Sequence, residues 1–163
     1  MTTAGLGARR VDASFTTMTE YVLPTHANIL GNVFGGQILA WVDLCAAICA
    51  QRHTGRTAIT VCIDELQFER PIKVGQVVIL KARVSAAFRT SCEILVEVEG
   101  EEATTGERWP CVSAFVSFVA VDDQRVPVQI PALELVTEEE RALADAALAR
   151  REERLKRRKV RPS

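Results

Sequence analysis

The sequence carries no surplus charge of either sign: 20 lysines and arginines stand against 21 aspartates and glutamates. A chain so balanced has no global electrostatic reason to hold nucleic acid or an anionic membrane, so any anion-binding surface must be local. It also lacks an unbroken apolar run of the roughly 20 residues that a membrane span needs; the best candidate is interrupted by Asp43. Arg9 and Arg10 are followed by no apolar stretch of leader type, and the expected location is the cytoplasm. Only two histidines are present, neither in a His-Glu-x-x-His pattern, which leaves a zinc hydrolase without support. No glycine-rich loop has Walker or Rossmann spacing, so nucleotide hydrolysis and hydride transfer lose support as well. There is no internal repeat, and no helix-turn-helix pattern marks a ligand-responsive repressor.

The five cysteines are an odd number set in apolar periodic segments, which suits buried, reduced thiols rather than a disulfide framework. Cys45 and Cys49 share a helix face at i, i+4, but no second Cys or His pair completes a tetrahedral set, and no metal is expected. At 163 residues the chain fits one domain that needs no staples.

What is present is one long apolar helix and a succession of strands. Met1 to Ser14 is small, polar and aperiodic, and reads as disordered. Phe15 to Leu23 reads as a first strand, and Pro24 to Gly36 as a loop rich in turn formers that carries His26, Asn28 and Asn32. The helix is expected over about Gly36 to His53, stopped by Thr54-Gly55 as a glycine C-cap. Strands follow at Thr57 to Phe68, Gln76 to Phe88, Ser91 to Glu99 and Arg108 to Val121, and alternation in Val96-Glu-Val-Glu99 and Lys81-Ala-Arg-Val84 gives the sheet one wet face. A strand, a long buried helix and four more antiparallel strands make the class α+β, a sheet wrapped around a helix. After a Pro-interrupted extended stretch, Thr137-Glu-Glu-Glu140 satisfies a capping box and opens a polar helix to about Lys159. Its basic end reads either as a solvated helix terminus or as a phosphate-binding arm.

The feature that stands out is Asp43, one carboxylate in the middle of a helix that is apolar nearly all round. Such a group costs several kcal/mol to bury unless it is paired, hydrogen-bonded or reached by water. Gly35-Gly36 precedes it, where the free amides of a helix start can meet developing negative charge. The competing reading is a structural carboxylate satisfied by backbone or by an arginine across an interface.

Several blocks together carry a family resemblance: Ala27-Asn-Ile-Leu-Gly-Asn-Val-Phe-Gly-Gly-Gln-Ile-Leu39, Val42-Asp43, Phe68-Glu-Arg-Pro-Ile-Lys-Val-Gly75, Arg89-Thr-Ser-Cys-Glu-Ile94 and Phe115-Val-Ser-Phe-Val-Ala-Val-Asp-Asp123. In their order they resemble the hotdog-fold acyl-CoA thioesterases, over roughly residues 15 to 131, leaving 132 to 163 as a charged tail. The resemblance implies a sheet gripping a central helix, and hydrolysis of a fatty acyl-CoA to acid and CoA without cofactor. It further implies homodimers with shared active sites, assembled as trimers of dimers. By analogy Asp43 is the catalytic base or nucleophile and Asn28 of a second copy completes the pair, with Asn32 competing for the amide role and Gly35 and Gly36 forming the oxyanion site. Phe34 stands where some relatives carry a histidine, which disfavours a histidine-dependent dehydratase. Arg89, Thr90 and Ser91 have donors suited to pantetheine or phosphate, with a plain hairpin turn as the competing reading. Trp41, Trp109 and Phe115 read as packing residues. The alternatives are a thioesterase for aryl-CoA or acyl-carrier substrates and a noncatalytic acyl-CoA sensor.

Overall fold

The alternating segments become a five-stranded antiparallel sheet in the computed structural model, which describes residues 6–160. Its strands are β2 (Thr16–Tyr21), β3 (Thr57–Phe68), β4 (Val77–Ala87), β5 (Ser91–Glu102) and β6 (Glu107–Val121), in the order β2-β4-β5-β6-β3. Helix α1 (Gly35–Thr54) lies on one face. It buries Ile38, Trp41, Val42, Cys45, Ala46, Cys49 and Ala50 against inward residues of the sheet, among them Leu80, Ile94, Val96, Val116 and Phe118. The α+β class and the sheet wrapped around a helix are therefore as expected. The helix ends as its Thr-Gly pair predicts: Gly55 is left-handed at φ 65°, and its N–H donates to Gln51 O at 2.8 Å.

The expectation of a helix buried all round is corrected. Only one face meets the sheet; Gly36, Ala40, Leu44 and Gln51 are exposed, and Asp43 is half-buried at the boundary. Burial pushes the thiols of Cys45 and Cys111 up to about 11 and those of Cys49 and Cys92 up to about 12, so all four are uncharged. All five cysteines are free.

The boundaries expected at residues 14 and 131 do not mark limits of order. Residues 1–5 of the stretch read as disordered lie outside the described residues, but β1 (Arg9–Arg10) pairs in parallel with β7 (Leu133–Glu134), and Val11 and Ser14 are buried. The cause is a tie that local periodicity does not show. Arg9 Nη1 donates to the carbonyls of Arg52 and His53 at 2.7 and 2.8 Å, satisfying the last turn of α1 with a cation where the helix dipole favours one. His53 is fully buried, and its Nε2 meets Pro131 O at 3.2 Å.

The C-terminal helix α2 (Glu138–Val160) also differs from expectation. Its capping box forms as predicted, with Glu140 N–H donating to Thr137 Oγ1 at 3.1 Å and Thr137 N–H to Glu140 Oε2 at 3.0 Å. The body of the helix is docked rather than simply solvated. Ala147 is buried, and Arg150 and Arg154 reach Glu93, a carboxylate with no exposed surface on the outer face of β5. Arg150 also lies over Phe115, its guanidinium carbon 3.5 Å from the ring centroid. Buried glutamate was invisible in a strand whose alternation suggested a wet face.

Trp109 is a packing residue, and it dictates its neighbour. Gly100 is its partner across β5 and β6, and a Cβ there would collide with the indole, which Arg70 covers on a 4.5 Å stack. Gly100→Ala should lower stability by about 1–3 kcal/mol, the usual cost of overpacking, read as a lower denaturant midpoint at unchanged slope. A second expectation concerns pH. Burial, and secondarily the Arg9 charge, hold the His53 pKa below its usual 6.5 despite the Pro131 carbonyl. The unfolded chain therefore binds that proton more readily, so the stability from neutral His53 is complete above 6.5 and declines as pH falls below it. The melting temperature should drop between about pH 7.5 and about pH 5.5, and the drop should shrink in His53→Gln.

Candidate active site

The loop before α1 is shaped by Asn28. Its Oδ1 accepts the N–H of Leu30 at 2.9 Å and of Asn32 at 3.3 Å, an Asx-type turn that leaves its NH2 group free of these bonds. The chain then runs through Val33, whose N–H donates to Ile72 O, into the helix start at Phe34. Phe34 O accepts from both Gln37 and Ile38 N–H, at 2.9 and 3.2 Å. The amides of Gly35 and Gly36 have no acceptor within the helix, as the first turn requires. Glycine is needed at Gly36 because the Phe34 ring folds back over it, where a Cβ would sit 2.7 Å from the ring edge.

A cavity of about 280 Å³ opens beside this turn, lined by Asn28, Asn32, Gly35, Ile38, Phe68, Ile72 and Cys111, with Glu69 and Arg70 at the same mouth. It brings together three of the residues singled out in the sequence and adds an apolar wall. Asp43 does not line it. At the usual rise of about 1.5 Å per residue, Asp43 lies about 10 Å along the axis from Gly36. One thioester carbonyl cannot be hydrogen-bonded at Gly36 and attacked by a water held at Asp43 of the same chain.

Asp43 is instead engaged by a residue that sequence reasoning missed. Thr60 Oγ1, on β3, donates to Asp43 Oδ1 at 2.7 Å. This bond orients the carboxylate and leaves Oδ2 without a hydrogen bond among the described residues. Thr60 read only as a strand former, and the contact spans 17 positions between elements of different periodicity, so no local signal identified it.

The Arg89-Thr90-Ser91 corner is the tight hairpin turn between β4 and β5, with Phe88 N–H donating to Ser91 O at 2.7 Å. Arg89 O and Thr90 O accept the N–H groups of Ile130 and Ala120, so the corner's backbone also anchors the end of β6 and the extended chain after it. Of the three, only Ser91 lines a second groove of about 540 Å³, together with Phe88, Cys62, Ser117 and α2 residues Arg151, Arg154 and Arg157. That groove is on the outer face. Cys62 pairs with Ser117 there, whereas Thr60 pairs with the core residue Phe118. Within one chain Ser91 and Asp43 therefore stand on opposite faces of the sheet. His26 packs edge-on against Trp41 with ring centroids 5.0 Å apart, and its Nδ1 accepts the Leu23 N–H, a structural use of that histidine. Among the described residues no cluster of His, Cys, Asp and Glu is arranged to hold a metal, and no helix is long and apolar enough to cross a membrane.

Comparison with known proteins sets this geometry in a family. The thioesterase superfamily profile matches residues 30–107. Acyl-coenzyme A thioesterase 11 of Mus musculus is 36% identical over 138 residues, which are 85% of this chain but 23% of the mouse protein; the chain spans about a quarter of the length of that relative. A crystal structure of an apo-hexameric acyl-CoA thioesterase superposes with a TM-score of 0.90 at 38% identity, covering 95% of this chain and 99% of that one. The acyl-CoA hydrolase of Staphylococcus aureus, solved with butyryl coenzyme A, coenzyme A and coenzyme A disulfide, gives a TM-score of 0.86 at 29% identity over 93% of this chain and 92% of that one. That enzyme has also been solved with Asp43, Thr60 or Asn28 replaced by alanine, residue types this chain carries at the same three numbers. With its antiparallel sheet laid against one long helix and its sequence match along almost the whole length of a hexameric relative, the chain belongs to the hotdog-fold acyl-CoA thioesterases of the thioesterase superfamily.

Proposed function

We propose that this protein hydrolyses acyl-CoA thioesters to a carboxylic acid and CoA, at a site shared between two copies of the chain. The observation that carries the reading is the Asp43 carboxylate, half-buried on α1 and oriented by Thr60 with one oxygen free. The free oxygen can take a proton from water as that water attacks the thioester carbonyl carbon. Direct attack by Asp43, giving an anhydride that water then opens, uses the same oxygen. In either route the carbonyl oxygen becomes an oxyanion, met by the Gly35 and Gly36 amides at the positive end of the helix. The tetrahedral intermediate collapses with departure of the CoA thiolate. Water is the only co-reactant this chemistry requires.

The 10 Å separation along α1 argues that the two halves of the site come from different chains. The surfaces needed to join them are exposed: Leu44 on the free face of α1, and Ile59, Val61 and Phe68 on β3, whose far edge has no strand beside it among the described residues. A second copy covering these residues would bring its Asn28 and helix start towards this Asp43. Asn28 can both donate to and accept from the attacking water. A trimer of such dimers is the assembly we assign, in keeping with the hexameric relative. The cavity beside Asn28 would take the acyl group, and Asn32 and the Arg89-Thr90-Ser91 corner are assigned to substrate binding.

Thiol release from short-, medium- and long-chain acyl-CoAs tests the reading. Asp43→Ala should lower kcat by about 10²–10⁴-fold, the range for a lost general base, and full activity in that variant would overturn the assignment. Thr60→Val should lower kcat by about tenfold or more, as expected for a lost hydrogen bond to a charged group. Sharing of the site has its own check. Asp43→Ala and Asn28→Ala chains, each inactive alone, should regain up to about a quarter of wild-type activity when coexpressed, because mixed two-fold dimers retain one intact site. No recovery would place both residues of a site in one chain.

A further inference from the structure

β3 is both the strand that presents Thr60 and, among the described residues, one of the two edges of the sheet. Its ladder with β6 is interrupted twice, between Thr60 and Cys62 and between Asp64 and Gln67. Glu65, within the second interruption, sits at φ 52°, a left-handed conformation that disfavours a residue with a side chain. Between the two irregularities only Cys62, Ile63 and Asp64 keep register, opposite Ser117, Val116 and Phe115. Thr57 to Thr60 keep register with Val121 to Phe118, so backbone pairing fixes the start of β3 and leaves the stretch that follows Thr60, up to Asp64, the less firmly placed.

Side chains on the outer face supply a second determinant. Arg154 Nη1 reaches Asp64 Oδ2 at 2.8 Å and Glu93 Oε2 at 2.9 Å. Glu93 is on β5 and Asp64 on β3, so one guanidinium spans the intervening β6. The anchor of this bridge is itself fixed. Glu93 is fully buried and also accepts from Ser85 Oγ at 2.8 Å and from Arg150 Nη2 at 2.8 Å. Two carboxylates and two guanidinium groups balance in charge, and both ends of the Arg154–Asp64 bond are largely shielded from water. Buried ion pairs of this kind often contribute no more stability than apolar residues of the same shape, but they impose geometry, since a carboxylate shifted out of place is left unpaired in a dry site.

We propose that Arg154 is a positioning residue for the active site: held by Glu93, its guanidinium fixes Asp64 against the sheet and so sets the β3 backbone that delivers Thr60 to Asp43. The C-terminal helix then belongs to the catalytic apparatus without touching substrate. This inference rests on the hydrolase reading for its kinetic consequence, but not for its structural one.

Two readouts on the full chain decide it. Hydrogen exchange of the amides in residues 57–68 should quicken in Arg154→Ala and in Asp64→Ala, which breaks the same link from the other end and retains the Arg154–Glu93 pair should the first variant fold poorly. Arg157→Ala, one turn away and paired with Glu153, should leave exchange unchanged. In thioester hydrolysis Arg154→Ala and Asp64→Ala should lower kcat by about tenfold with KM moved less than about twofold, and the loss should vanish in a Thr60→Val background, because residues acting through one bond are not additive. Unchanged exchange in β3 would overturn the proposal whether or not the protein is a hydrolase. Faster exchange with wild-type kcat, or with losses that add to that of Thr60→Val, would overturn the catalytic role. Absence of thiol release in the wild type would instead overturn the hydrolase reading, with exchange still deciding whether Arg154 holds the strand.

Discussion

Helix α1 carries apolar side chains on two faces, and a single sheet covers one of them. The rest of the molecule answers to that constraint. The covered face, from Ile38 to Ala50, forms the core with the inner residues of β4, β5 and β6. The other, with Ala40 and Leu44, is left beside the exposed side chains of β3. Asp43 lies at the margin between them, where a carboxylate can be partly shielded, oriented by Thr60 and still reach a small polar reactant.

The outer face of the sheet obeys the opposite logic. There the stabilising contacts are ionic: Lys81 with Glu99, Arg83 with Glu139, and Arg150 and Arg154 with Glu93. Exposed pairs of this sort contribute about 0–1 kcal/mol each. The Glu93 cluster differs because water is excluded, so its value lies in the geometry it enforces on β3, β5 and α2. The two faces divide the work. Apolar burial drives folding from inside, and charge pairing outside determines where the helix and the edge strand rest.

Much of this was legible in the sequence because it is local. Period-two alternation places β3 to β6 within a few residues of their observed limits, Thr54-Gly55 marks the end of α1, and Thr137 with Glu140 marks the start of α2. The contacts that were missed join residues far apart. Thr60 meets Asp43 across 17 positions, Arg9 satisfies carbonyls more than 40 positions away, and Arg154 meets Asp64 across 90. Nothing in the neighbourhood of Glu93 separates it from Glu97, Glu99 and Glu101 of the same strand, none of them fully buried, since burial there is conferred by a helix that begins some 45 residues later. The single oddity visible from composition, a carboxylate in an apolar helix, did point to the right element, although its partner lay on another.

The cysteines bear on the chemistry as well as on the packing. A thioester is open to exchange with any thiolate, which would capture the acyl group on the protein and release CoA without hydrolysis. Cys111 lines the cavity beside the helix start, and Cys45 and Cys49 lie on the same helix as Asp43. Burial holds all three as neutral thiols, with pKa values pushed up to about 11 for Cys45 and Cys111 and about 12 for Cys49. Cys62, half-buried on β3, donates to the Asp64 carboxylate and is raised in the same direction. On the proposed reading, sulfur beside the acyl group presents no thiolate to be acylated: the thiols fill space like small apolar side chains, and water is left as the nucleophile.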